Sequence, residues 1–166
     1  MPRNHVTAKA RVEPQDAKVE SLEGEAGKML DEARMVLPGI QALFGFQLIA
    51  VFNQGFMELS ALEKNGHLCA LLLVTLGIAL IMTPAIFHRI AERGRITRHF
   101  IDVASHLIAW AMAPLALGIT LDVTLVTWLI TRSGILALTV GIVVLVVFTG
   151  LWFVYPWARR RRRHAS

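Results

Sequence analysis

Residues 67–87 read HLCALLLVTLGIALIMTPAIF, without a single Asp, Glu, Lys or Arg. At about 1.5 Å per residue, a helix over this stretch is as long as the hydrocarbon core of a bilayer is thick. Three further stretches are apolar over a comparable length, roughly 35–56, 101–121 and 135–157, and no fifth reaches it. The composition agrees: 55% of residues are hydrophobic, 17% are charged and the mean hydropathy is +0.55, whereas soluble domains are charged at roughly a quarter of their positions. The expected fold is all-α, an integral membrane four-helix bundle, with a polar segment over 1–34, the transmembrane domain over 35–157 and a polybasic tail over 158–166. No apolar stretch sits in the first 34 residues, so a cleaved secretory signal is not expected.

Orientation follows from the basic residues. Lys18, Lys28 and Arg34, then Arg89, Arg93, Arg95 and Arg98, then Arg159 to Arg163 fall on one side, against Lys64 and Arg132 on the other. That asymmetry predicts a cell-membrane protein with both termini and the middle loop cytoplasmic, and it argues against a dual topology. Placed this way, the net charge of +5 and the pI near 10.1 describe span ends rather than a nucleic-acid surface. The expected partners are membrane lipids, with Arg159, Arg160, Arg161, Arg162 and Arg163 holding anionic headgroups behind the aromatic belt of Trp152, Tyr155 and Trp157. Nucleic acid is not expected.

Residues 15–34 place Val19, Leu22, Met29, Leu30 and Ala33 at helical spacing, with acidic residues on the other faces, which predicts an amphipathic cytoplasmic surface helix weakened by Gly24 and Gly27. Residues 11–34 hold seven acids and four bases, a poor match for anionic lipid. A solvated tail or a docking surface for the protein's own basic loop fits better. The short Thr- and Val-rich segment Asp122 to Gly134 reads as a surface connection, with Trp128 at headgroup depth.

Span one carries Gln41, Gln47, Asn53 and Gln54, amides that must face protein or water. Gln47 and Gln54, seven apart, share a helical face and mark either a polar pathway or packing contacts. Pro84 and Pro114 interrupt helical hydrogen bonding in spans two and three and predict bends there. Ser105, Ala109 and Ala113 form a small-residue ridge, and Gly134, Ala137 and Gly141 a second one. His99, Asp102 and His106 lie on one face of span three near His88. His99 and His106 are about 10.5 Å apart along the axis, so the metal set to weigh is His88, Asp102 and His106, or a haem held by His88 and His106. The plainer reading is Asp102 neutralising Arg95 or Arg98, with no metal and no cofactor.

Glu58, Asp102 and Asp122 are all read as span-end groups, so no carboxylate stands inside the membrane to couple a proton to transport. The lone Cys69 excludes dithiol chemistry. No phosphate loop, nucleophile elbow or zincin motif is present, and an enzyme is not expected.

Two stretches carry a likeness to a known family. One is Pro38-Gly39-Ile40-Gln41-Ala42-Leu43-Phe44-Gly45-Phe46, preceded by Glu32-Ala33-Arg34. The other is Thr83-Pro84-Ala85-Ile86-Phe87-His88-Arg89. Over roughly residues 30–155 the chain resembles a family of small, functionally uncharacterised bacterial four-span proteins, some of whose members carry a sodium/proton antiporter label. The resemblance implies a four-helix membrane domain in which Gln41, His88 and Arg89 matter. The antiporter label finds no buried carboxylate to support it. Two functions remain: a structural or accessory membrane protein, or a small-solute or ion transporter with an amide-lined path, the latter as a homo-oligomer.

Overall fold

The computed structural model describes residues 14–91 and 97–163. Residues 1–13, Arg93, Arg95 and the side chains of His88, Arg162 and Arg163 lie outside the described residues. Every regular element within them is helical: α1 Pro14–Val51, α2 Gln54–Met57, α3 Ala61–Ala91, α4 Arg98–Thr131, α5 Gly134–Thr149, a π-helical turn Gly150–Val154 and α6 Tyr155–Arg163. Four helices are long and apolar enough to cross a membrane, over Ser21–Val51, Ala61–Phe87, Arg98–Thr131 and Gly134–Arg161.

Two boundaries differ from the sequence-based expectation. The amphipathic N-terminal segment is not a separate surface helix but the first part of α1, which runs without a break through Pro38. Its anchor is Ala26, fully buried in a cluster with Phe100 and Ala104 of α4. Glu25 adds an ion pair to Arg98 at 3.1 Å, with both side chains more than half exposed.

The second difference is at Asp122 to Gly134. The expected surface connection is helix to Thr131, leaving only Arg132 and Ser133 to join α4 to α5. The threonines explain it. Thr124, Thr127 and Thr131 each donate their hydroxyl to the carbonyl four residues back, at 2.7 Å, so their polar groups are satisfied inside the helix. Arg132 then turns the chain in the left-handed region at φ 54°, its N–H returning to the Trp128 carbonyl at 2.8 Å. Ser133 caps α5 through the Leu136 N–H.

At the same end, α1 stops at Val51 and Asn53 caps the short α2 by accepting from the Gly55 N–H at 3.0 Å. Ser60 and Glu63 form a reciprocal capping box at the start of α3, Ser60 N–H donating to Glu63 Oε2 at 2.7 Å and Glu63 N–H to Ser60 Oγ at 3.3 Å.

Small residues set the packing. Ala70, Gly77 and Pro84 of α3 and Ala104, Ala111 and Gly118 of α4 are all buried and all spaced by seven, the interval of near-parallel helices. A Cβ on Gly118 would come within 3.0 Å of the Ala70 carbonyl oxygen, so the backbones themselves are in contact. Val74, Ile81 and Leu115 fill this seam, and Ile40 of α1 completes the cluster with Trp152 of the π turn against its edge. The buried seam therefore lies one residue round from the expected ridge, whose Ser105 and Ala109 are exposed. Of the expected α5 ridge, Ala137 and Gly141 are buried, Gly141 against Thr124 of α4, while Gly134 is exposed.

Candidate functional site

Three of the helices long and apolar enough to cross a membrane each contribute one polar side chain to a single cluster. Gln47 lies on the last turns of α1, His67 on the second turn of α3, and Asp122 on α4, six residues before Trp128 and so about 9 Å along the axis from it. Gln47 is 4% exposed, and the side chains of His67 and Asp122 are 14% and 17% exposed. Gln47 Nε2 donates to Asp122 Oδ2. His67 Nδ1 stands 3.4 Å from Asp122 Oδ1, and His67 Nε2 lies 2.9 Å from the Gln47 carbonyl oxygen. Phe56 of α2 meets the His67 ring edge to face, at 5.5 Å between centroids.

A carbonyl oxygen only accepts, so His67 Nε2 carries a hydrogen and donates to Gln47. His67 Nδ1 then faces Asp122 Oδ1 across the 3.4 Å between them. Gln47 Oε1 is buried with no hydrogen-bond partner. The three residues border a cavity of about 310 Å³, lined almost wholly by apolar surface, whose other walls include Phe46, Leu59, Leu125 and Leu129.

Above His67 by one turn, Glu63 also borders this cavity. Its carboxylate accepts from Trp128 Nε1 at 2.8 Å and lies 3.7 Å from Arg132. The rim of the site is thus tied across α3 and α4 by an aromatic donor and an arginine.

The residues singled out by sequence are distributed differently from the expected pathway. Gln47 alone of the four amides is buried. Gln41 is exposed on α1, Asn53 is spent as a helix cap and Gln54 is exposed in α2. Because α1 ends at Val51, the seven-residue spacing of Gln47 and Gln54 does not put them on one face. His99, Asp102 and His106 are exposed along α4 beside a groove that continues to Trp110 and Pro114. His106 Nδ1 lies 2.6 Å from the carbonyl oxygen of Asp102. Among the described residues no three His, Cys, Asp or Glu side chains are grouped to hold a metal, and the His88 side chain lies outside them. At the tail, the Arg161 guanidinium sits 3.7 Å from the Trp157 ring centre and Arg159 donates to the Tyr155 hydroxyl at 3.3 Å.

The sequence reading places Asp122 at a span end and does not single out His67. That reading of Asp122 is corrected here, and with it the statement that no carboxylate is buried. The available signal was the threonine spacing: Thr120, Thr124, Thr127 and Thr131 recur at three or four residues, a helical rather than a loop period.

A profile of a family of unknown function, DUF6328, matches residues 15–156. No curated protein matches the chain, and no solved structure does.

Proposed function

The chain belongs to DUF6328, a family of unknown function, and we propose that it is a multi-pass transporter of a small solute or ion, loaded at the Gln47, His67 and Asp122 cluster in exchange for a proton. The observation that carries this reading is Asp122 itself: a carboxylate inside a membrane-spanning helix, enclosed by side chains of two other spans. Ionisable groups in that position are expensive and mark pathways or relays. The charged groups near the pair are few, Glu63 on α3 and Arg132 after α4, and these two are paired with each other. The basic residues argue for cytoplasmic termini, as a four-helix bundle in the cell membrane with its cavity toward the outer side. Arg159 to Arg163 then meet anionic headgroups. We infer no enzymatic role and no nucleic-acid partner, because the cluster offers proton and cation chemistry and no nucleophile.

A second reading, partner binding through the exposed face of α1, draws on Gln41. This amide is exposed on a membrane-spanning helix, and Gly39 and Gly45 beside it have nothing within 4 Å of a built Cβ. A second copy of the chain covering that face would satisfy the amide.

Vesicles containing the purified protein and a pH-sensitive dye test the transport reading. A panel of inorganic and organic cations added under an imposed proton gradient should change the internal pH with at least one of them. The response should disappear in Asp122→Asn, weaken in Gln47→Leu and persist in Gln54→Leu. Equal fluxes from wild type and Asp122→Asn would overturn it.

A further inference from the structure

We propose that the groove along α3 and α4 holds one membrane phospholipid with a primary ammonium head, of the phosphatidylethanolamine class. The groove measures about 640 Å³, and its walls include Leu76 and Leu80 of α3 and Val103, Leu107, Trp110 and Pro114 of α4. Trp110 is 69% exposed, so the groove opens sideways, toward the bilayer that surrounds a spanning helix. From Asp102 to Pro114 it follows twelve residues of α4, about 18 Å, and one leaflet of hydrocarbon is about 15 Å deep. Among lipids a tail gains close packing in such a groove rather than transfer out of water, so the walls hold the tail and the head decides which lipid stays.

The polar groups of the groove stand at one end. His99, Asp102 and His106 border it where α4 begins, the layout of an amphiphile with its head at the membrane surface. An apolar helix of a second copy laid in the same groove would press hydrocarbon against the Asp102 carboxylate.

Asp102 selects the head. Arg98, the cation expected to neutralise it, is paired with Glu25 at 3.1 Å instead, and among the described residues no hydrogen bond or ion pair reaches the exposed carboxylate. His106 Nδ1 lies 2.6 Å from the Asp102 carbonyl oxygen. That oxygen only accepts, so Nδ1 carries the hydrogen and the neutral ring presents Nε2 as a second acceptor on the same helical face. A primary ammonium has three N–H groups to give to these two acceptors. A choline head has none, and a glycerol head brings no positive charge. His99, one turn nearer the start of α4, keeps an N–H in either protonation state, and with the positive end of the helix it suits the lipid phosphate.

Native mass spectrometry of the full-length protein in mild detergent, titrated separately with dioleoyl phosphatidylethanolamine, phosphatidylcholine and phosphatidylglycerol, tests this. One phosphatidylethanolamine per chain should bind at about tenfold lower concentration than phosphatidylcholine. Asp102→Asn should abolish that preference and Asp102→Glu should keep it. Ala113→Phe, which fills the groove, should lose the bound phosphatidylethanolamine with the head-binding residues intact. Phosphatidylglycerol, drawn to the arginine tail, should bind Asp102→Asn as well as it binds wild type. An unchanged elution profile in each variant separates loss of the lipid from loss of the fold. Equal binding of ethanolamine and choline lipids by the wild type, or an undiminished preference in Asp102→Asn, would overturn the proposal. So would a dimer that Ala113→Phe dissociates, because a second copy would then occupy the groove.

Discussion

At the scale of single residues, glycines separate packed positions from open ones. A Cβ on Gly77 would lie 2.5 Å from Leu115 Cγ and 2.7 Å from Leu115 Cδ2. Leu115 is itself 2% exposed and held by Val74, Ile81 and Ile40, so it cannot swing aside. Gly77→Ala should cost about 1–3 kcal/mol, read as a lowered midpoint of thermal unfolding in detergent. Gly24, in the exposed first part of α1, has nothing within 4 Å of its built Cβ. There Gly24→Ala should be neutral or stabilise by up to about 1 kcal/mol, because alanine is the better helix former. Asp122 belongs at this scale too. Its neighbours Leu121 and Val123 are apolar, and only the threonine period around it marks a continuing helix rather than a span end.

Among the elements, the union of α1 with α4 combines a buried wedge and an exposed ion pair, and the two differ greatly in weight. Phe100 is fully buried against Ala26 and stacks on Phe87 with 6.2 Å between ring centroids. Phe100→Ala should destabilise by about 3–5 kcal/mol. Glu25→Gln, removing a pair whose side chains are 57% and 68% exposed, should cost well under about 1 kcal/mol and less still at high salt. Chemical or thermal unfolding of the two variants at two salt concentrations checks both values. The docking explains why the acidic N-terminal segment is helical at all. Gly24 and Gly27 weaken it as an isolated helix, and α4 supplies the tertiary contact that compensates. The sequence carried the charge complementarity but not the register, since the identity of the buried residue, Ala26, depends on where α1 meets Phe100.

For the whole molecule, the four helices long and apolar enough to span were legible because hydrocarbon imposes a length that the apolar runs report. The ends were not. Helices continue past the apolar run wherever side chains satisfy their own polar atoms, as the threonines of α4 do, and stop early where an asparagine caps the next turn, as at Asn53. The candidate site was half legible for the same reason. Gln47 stood out as an amide in an apolar span, while His67 and Asp122 looked peripheral until α4 was seen to carry Asp122 inward of Trp128. Orientation is testable at this scale. In a Cys69→Ser background, Ser133→Cys should react with an impermeant maleimide added outside intact cells, and Ala158→Cys should react only after lysis.

The central claim is that the carboxyl group of Asp122 exchanges a proton inside the membrane-spanning region. Infrared difference spectroscopy of the reconstituted protein between acid and alkaline pH observes that group directly. The account predicts a carboxylic-acid carbonyl band in the wild type that is missing from Asp122→Asn. Identical difference spectra from the two proteins would contradict it.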